Sequence, residues 1–268
     1  MNPAHSGDAV DVGGADHVAA QCNRAPQLLP VSDSVAAYHL VHRRIDALLR
    51  GRDDVADRLV PACPAWTIAQ TVAHLTGVAQ DVAALNLEAK GTDAWARAQV
   101  ARLDRHSLDD LLDLWELSTG PAASTLALAP PGSVCQLVFD TLTHEHDIRG
   151  ALNEQGARTG DSAFAAAMAF MTTMGDGFIR HSGLPALQLS TPTIGRVQLG
   201  DPENPAGELS LAISDFEALR AFGGRRSIGQ LRALPWEGDP THLLPAFTHH
   251  LPAFTNEGIR PPVDDLIE

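Results

Sequence analysis

Residues 133–152 have the sequence SVCQLVFDTLTHEHDIRGAL and follow the break Pro130-Pro131-Gly132. Their apolar residues recur at helical spacing, so the segment predicts one long helix. Positions four apart on a helix share a face. Asp140 and His144 therefore point the same way, and Asp147 follows one turn after His144. The segment thus places an imidazole and two carboxylates close together on one helix.

His146 has a different orientation on the same predicted helix. It lies two residues after His144, which corresponds to about 200° around the helix axis. We therefore expect His146 and its neighbour Glu145 to face away from Asp140 and His144. The conspicuous His-Glu-His string is not itself predicted to be a ligand set.

Asp140 and His144 together predict part of a metal site. Zinc and similar divalent ions accept two nitrogens and one oxygen and leave a position open for water or substrate. A third ligand must come from another helix, and His74 in Val72-Ala73-His74-Leu75 lies on an otherwise apolar helix face. Two interpretations remain open from spacing alone. Either the three residues bind a metal ion, or His74 is a core histidine and Asp140 a solvated charge.

The first two thirds of the chain have helical periodicity. Five helices are predicted. Four cover residues 34–48, 67–89, 133–152 and 161–179, and the other begins at Ser107 and is rich in leucine up to Leu117. Capping boxes mark two of the starts, at Thr67-x-x-Gln70 and Ser107-x-x-Asp110. Four or five antiparallel helices joined by modest connections are typical of a bundle.

The pattern changes after Gly183. Apolar residues alternate with period two at residues 187–189, 197–199 and 209–213, which predicts strands. Helical stretches follow at 215–222, 227–234 and 242–254. The chain is therefore predicted to be α+β, with a flexible tail over residues 1–32, a helical bundle over 33–183 and a small α+β domain over 184–268.

Composition limits the kind of partner. The net charge is −14, with 19 basic and 33 acidic residues, so nucleic acid and membrane surfaces are not expected as partners. The N-terminus lacks the basic start and apolar run of a secretory signal. Three distant cysteines form no C-x-x-C pair, which favours a reducing, cytoplasmic setting.

Several of these residues together resemble a known family. The segments Cys63-Pro64-Ala65-Trp66-Thr67, Val72-Ala73-His74-Leu75 and Asp140-x-x-x-His144-x-x-Asp147-Ile148-Arg149 occur in the same order as in the mycothiol-dependent maleylpyruvate isomerase family. That family belongs to the wider DinB-like group of metal-binding four-helix bundles. Residues 215–220 and 224–227 also look like the family's smaller, sterol-carrier-like C-terminal domain.

The resemblance implies a divalent metal, usually zinc, held by His, Glu and His. By position, His74, Asp140 and His144 take these three places, and Asp140 departs from the family's Glu. Asp147 would orient His144 or, alternatively, pair with Arg149 or the helix end. In the family, the metal holds the thiol of mycothiol as thiolate, which adds to the cis double bond of maleylpyruvate. Rotation and elimination then give fumarylpyruvate.

The resemblance also implies an important arginine in the C-terminal domain. Arg220 is the first candidate, followed by Arg225 and Arg226, because a guanidinium can pair with a substrate carboxylate. Cys63 and Trp66 are expected to be packing or turn residues, since no basic partner for Cys63 is visible in the sequence.

The leading functional prediction is a metal-dependent and mycothiol-dependent enzyme, either an isomerase or a thiol S-transferase, acting on a small electrophile. A non-catalytic metal-binding or ligand-binding protein and a metal-dependent hydrolase are the alternatives. The sequence does not specify the substrate or the oligomeric state.

Overall fold

The computed structural model describes residues 24–244, 247 and 262–268. Most of the predicted tail, with Cys22, lies outside these residues, as does the predicted helix 242–254 beyond residue 244, apart from Phe247. The described part contains a helical bundle, a four-stranded sheet and two short helices after the third strand of that sheet. The predicted α+β class is therefore confirmed.

The described residues contain six helices before the sheet. They are α1 (Val31–Leu49), α2 (Ile68–Ala84), α3 (Asp93–Leu103), α4 (Leu108–Leu126), α5 (Pro131–Leu152) and α6 (Ser162–Ser182). Helix α1 packs against α4, α5 and α6, while α2 packs against α4 and α5. The apolar stripes of these helices meet in one core, which is the packing that a bundle requires.

Local capping explains where the helices begin. The Thr67 and Ser107 side chains accept hydrogen bonds from the backbone N–H groups of Gln70 and Asp110, so both predicted capping boxes are present. Asp161 caps α6 through the N–H groups two and three residues later. Capping hydrogen bonds from side chains therefore determine where three of the helices begin.

Three features of the bundle differ from the prediction. Helix α2 ends at Ala84 rather than near residue 89, because Leu85 adopts a left-handed conformation with φ 58°. Helix α3, which packs on α2, was not predicted. The loop predicted around Cys63 contains a short antiparallel pair of strands, β1 (Leu59–Val60) and β2 (Cys63–Thr67).

A four-stranded sheet follows α6. Its strands are β3 (Ala186–Thr191), β4 (Gly195–Leu199), β5 (Glu208–Ala212) and β6 (Trp236–Glu237), in the order β4-β3-β5-β6. Strand β3 pairs antiparallel with β4 and parallel with β5, and β6 is antiparallel to β5. Helices α7 (Asp215–Phe222) and α8 (Ile228–Arg232) connect β5 to β6.

The sheet region contacts the bundle through α6. Both β4 and α7 pack against this helix. Helix α6 ends at Ser182, next to the predicted domain boundary at residue 183, and the division of the chain into domains stays a prediction. Over the described residues, every helix is too short or too polar to cross a membrane.

Candidate metal centre

The three predicted ligands lie together. His74 is on α2, and Asp140 and His144 are one turn apart on the adjacent α5. His74 Nε2 lies 3.7 Å from Asp140 Oδ2, and His144 Nε2 lies 3.8 Å from Asp140 Oδ1. The ligand atoms of all three residues lie within 4.8 Å of one another. Both imidazoles are buried, whereas Asp140 keeps 38% of its side chain exposed.

These three side chains line a cavity of about 880 Å³. Apolar side chains, among them Val78, Val82, Leu137 and Phe139, form much of the remaining wall. A cavity of this size and lining is typical of a small-molecule site, because apolar walls bury the ligand and a few polar groups orient it.

Asp147 holds the far side of the His144 ring. Its Oδ2 lies 3.0 Å from His144 Nδ1, so the carboxylate favours the N–H on that nitrogen and leaves Nε2 for Asp140. Asp147 is completely buried and accepts hydrogen bonds from Arg220 Nη1 at 2.7 Å and Arg225 Nη2 at 2.8 Å. The alternative pairing with Arg149 is wrong, because Arg149 pairs with Glu145.

Gln99 holds the far side of the His74 ring. Its Oε1 lies 2.8 Å from His74 Nδ1, and its Nε2 donates to Asp81 Oδ2 at 2.7 Å. Sequence reasoning missed Gln99 because it missed α3. Thr92, which caps α3 through the Trp95 N–H, and Asp93 in the first turn were the signals that could have located this helix.

His146 and Glu145 face away from the centre, as the helical phase predicts. The His146 ring packs against Phe164 and Phe216, with ring centroids 5.8 and 5.0 Å apart. Glu145 is fully buried and pairs with Arg44 and Arg149.

The three candidate arginines have different surroundings. Arg220 is fully buried and bonds to Asp147, the Thr143 carbonyl and Glu268, so its burial argues against direct contact with a ligand. Arg226 is also buried and pairs with Glu217 and Glu268. Only Arg225, of these three, lines the cavity. The structure therefore favours Arg225 over Arg220 as the arginine that can meet a ligand.

Cys63 has a basic partner that the sequence did not reveal. It lies on β2, lines the cavity, and accepts a hydrogen bond from Arg225 Nη2 at 3.4 Å. Its thiol also donates to Asp147 Oδ2 at 3.5 Å. The expectation of a cysteine without a basic partner is therefore wrong, because the C-terminal region brings Arg225 against it. Trp66, on the same strand, packs on His74 and His144 at centroid distances of 5.1 and 6.1 Å.

The electrostatics of the centre follow from this arrangement. Burial lowers the pKa of His144, but Asp147 beside Nδ1, together with Cys63 and Asp140, raises it to about 10 in the metal-free protein. A metal ion that binds Nε2 must therefore displace a proton from this ring. Burial raises the pKa of Asp147, but the positive charges of Arg225 and Arg220 have the larger effect and hold that pKa well below its usual range. Asp147 is therefore a carboxylate at neutral pH, which is the form that orients an imidazole.

His146 has the opposite protonation behaviour. Burial, reinforced by Arg220 and Arg149, lowers the pKa of His146 to about 3. Its Nε2 has no hydrogen-bond partner among the described residues. His146 is thus a neutral core residue, in keeping with its place away from the cavity.

The donor set fits a divalent ion. Zinc bonds to nitrogen and oxygen of about 2.0–2.2 Å place tetrahedral ligands about 3.4 Å apart. The separations of 3.7 and 3.8 Å between the donor atoms are close to that spacing. Each imidazole presents Nε2 to Asp140, since Nδ1 is occupied by Gln99 or Asp147. The open cavity on the exposed side of Asp140 leaves room for a further ligand.

The chain is similar to known proteins of one family. The family model of the mycothiol maleylpyruvate isomerase N-terminal domain matches residues 38–161, which include all three candidate ligands. A crystal structure of a mycothiol-dependent maleylpyruvate isomerase is 15% identical over 75% of this chain and 91% of that chain, with a TM-score of 0.48. The crystal structure of a histidine-to-alanine mutant of such an isomerase is 13% identical over 74% and 90%, with a TM-score of 0.49. No curated protein matches the chain. The match over residues 38–161 confirms the predicted resemblance to the mycothiol maleylpyruvate isomerase family.

Proposed function

We propose that the protein is an enzyme that uses a divalent metal, zinc by its donor set, and mycothiol to isomerise a small electrophile or to transfer the thiol to it. One observation carries the proposal: two imidazole Nε2 atoms and a carboxylate converge at the wall of a large, mainly apolar cavity. The resemblance of residues 38–161 to the mycothiol maleylpyruvate isomerase N-terminal domain suggests the chemistry that such a centre can support. A reduced cytoplasm is the compartment that a low-molecular-weight thiol partner implies.

His74, Asp140 and His144 would hold the ion. A bound ion would act as a Lewis acid that keeps a small thiol in its thiolate form at neutral pH. Asp147 fixes the orientation of His144, and Trp66 covers both imidazole rings on the side of β2. These contacts hold the donor atoms in place before any ligand arrives, which lowers the cost of organising the site.

Arg225 would orient the substrate. Four of its five N–H groups bond to Asp147, Cys63 and the Gly223 carbonyl, so the guanidinium is held rigidly at the cavity wall. Its charge and its remaining N–H are available to a carboxylate of the substrate. The apolar wall would exclude water from the same space.

The test compares metal-loaded and chelated protein. Mycothiol binding is measured by calorimetry in both forms, and turnover is measured with maleylpyruvate and with a generic thiol-accepting electrophile. We expect thiol binding and turnover only in the metal-loaded form. Binding without turnover of either substrate would favour a non-catalytic binding protein. Equal thiol binding with and without metal would overturn the proposal.

A variant pair makes the same test specific to the site. His74→Ala removes a proposed ligand, and His181→Ala removes an exposed histidine at the end of α6. We expect the first to abolish metal-dependent thiol binding and the second to leave it unchanged.

A further inference from the structure

The hydrogen bonds of Gln99 allow its side-chain amide a single orientation. Its side chain is completely buried between Asp81 and His74, at 2.7 Å from Asp81 Oδ2 and 2.8 Å from His74 Nδ1. Asp81 is itself buried and pairs with Arg102 at 2.9 Å. A carboxylate can only accept hydrogen bonds, so the NH₂ group of Gln99 must face Asp81. The carbonyl oxygen of Gln99 must therefore face His74.

This orientation determines where His74 carries its proton. An amide oxygen is an acceptor, so the Nδ1 atom of His74 that faces it must be the N–H donor. The lone pair of the neutral ring is then on Nε2, which lies 3.7 Å from Asp140. We propose that Gln99 is a positioning residue that locks His74 in the tautomer able to bind a metal through Nε2. The proposal rests on the metal site proposed above.

The packing of α3 on α2 supports the same role. A Cβ atom at Gly77 on α2 would lie 2.5 Å from Gln99 Cβ and 3.3 Å from its Cα. Only glycine therefore lets the backbone of α3 come close enough for Gln99 to reach His74. Arg102, one turn after Gln99, donates to the Gly77 carbonyl at 2.9 Å and holds the two helices at this distance.

The two imidazoles of the centre are thus oriented by different groups. His144 has a carboxylate beside Nδ1, whereas His74 has an amide whose direction is set by a more distant carboxylate. Outer partners of this kind fix ring orientation and raise metal affinity, and their loss typically costs about 10–100-fold. The hydrogen bonds from Asp81 through Gln99 to His74 make α3 part of the proposed metal site, although α3 provides no direct ligand.

The experiment measures the tautomer and the affinity separately. Long-range ¹⁵N–¹H correlation spectra of the metal-free protein, in neutral to mildly alkaline solution, report which nitrogen of His74 carries the proton. Competition with a chelating dye reports zinc affinity. In the wild type we expect the Nδ1–H form of His74. In Gln99→Leu we expect a shift toward the Nε2–H form and a loss of zinc affinity of about 10–100-fold.

A second variant keeps the test decisive if Gln99→Leu folds poorly. In Asp81→Asn, the asparagine has the same size as aspartate but can donate as well as accept hydrogen bonds. The amide of Gln99 is then no longer restricted to one orientation. We expect a mixture of both His74 tautomers and a smaller loss of affinity. Gln136→Leu, a glutamine of α5 at the same cavity, is the control and should change neither quantity.

The outcomes separate this inference from the proposed function. A wild type with Nε2–H on His74, or variants in which the tautomer and zinc affinity both stay unchanged, would overturn the role of Gln99. A wild type that shows the Nδ1–H form but binds no zinc would leave the tautomer lock intact and overturn the metal site instead.

Discussion

Asp147 and His144 lie three residues apart on one helix, with Asp147 Oδ2 3.0 Å from His144 Nδ1. Two arginines from the C-terminal region, Arg220 and Arg225, bond to the same carboxylate. The orientation of a predicted metal ligand in the bundle therefore depends on residues that follow it by more than 70 positions. The C-terminal region thus helps to build the centre and does more than cover it.

The first prediction separates the two histidines of α5. His144→Ala removes a predicted ligand, so zinc affinity should fall by at least about 100-fold, more than loss of an outer partner causes. His146→Ala removes a ring that packs on Phe164 and Phe216 and should keep most of the affinity, although it destabilises the fold. Zinc titration of both folded variants checks this. The reverse ranking would show that the ligand is misassigned.

Asp140 is the position at which the chain departs from the family pattern. Asp140→Asn removes a charged oxygen ligand and should weaken zinc binding by at least about 10–100-fold. Asp140→Glu keeps a carboxylate and should retain the metal. Calorimetric affinities of the wild type and both variants decide the matter. Three equal affinities would mean that Asp140 is a solvated charge, in which case each change should cost less than about 0.5 kcal/mol of stability.

Gly77→Ala should destabilise the protein even though alanine favours helices. The new Cβ would meet Gln99 Cβ at 2.5 Å, so α3 must move, at a cost of about 1–3 kcal/mol. Gly177→Ala in α6 is the matched control, since nothing lies within 4 Å of its Cβ. That control should stabilise by up to about 1 kcal/mol. Chemical denaturation of both variants measures the difference, and equal effects would contradict the close packing of α2 and α3.

His146 should make the protein less stable in acid. Its pKa is about 3 in the folded state, because of burial and the nearby Arg220 and Arg149, against 6.5 for an unperturbed histidine. The unfolded chain therefore binds a proton between these values that the folded chain does not, and stability falls as pH drops below 6.5. His146→Leu removes this contribution. The slope of unfolding free energy against pH should decrease by up to about 1.4 kcal/mol per unit.

Denaturant titrations of the wild type and His146→Leu between pH 5 and pH 7 measure that slope, above the range where carboxylates titrate. Parallel curves for the two proteins would show that His146 is accessible to protons in the folded state.

Substitution of Arg220 should mainly affect stability, whereas substitution of Arg225 should mainly affect ligand binding. Arg220→Met leaves the buried carboxylates of Asp147 and Glu268 without a main partner and should cost about 3–5 kcal/mol of stability. Arg225→Met leaves Asp147 paired with Arg220, so it should cost less stability but weaken the binding of a small dicarboxylate. Denaturation and calorimetry measure the two effects. Unchanged dicarboxylate binding in Arg225→Met would remove Arg225 from the ligand site.

Local chemistry explains which elements could be predicted from the sequence. The capping boxes at Thr67 and Ser107 need only residues three positions apart, and both helix starts are where the pattern predicts. Asp140 and His144 share a face through the helical repeat alone. Helix α3 has a weak apolar stripe, in which Gln99 and Leu103 are the buried residues, so periodicity does not reveal it.

Long-range contacts explain what could not be predicted. Gln99 reaches Asp81 and His74 across 18 and 25 residues, and no spacing rule connects them. Arg220 and Arg225 differ because α7 and the turn after it place one against Glu268 and the other at the cavity. Cys63 meets Arg225 across 162 residues. The sequence alone predicts the candidate ligands, while the folded chain is needed to identify the residues that orient them.

Helix α5 has a consequence for mutational tolerance. Residues 144–147 are four successive positions with exposures of 6% or less, so this turn has no solvent-facing side. Each side chain has a different environment. Residue 144 lines the cavity, residue 145 pairs with two arginines, residue 146 packs on two aromatic rings, and residue 147 pairs with two other arginines. An alanine scan over these residues would find no silent position, and the four defects would differ in kind. Substitutions in this turn would therefore be detected by different assays, some by metal binding and others by stability.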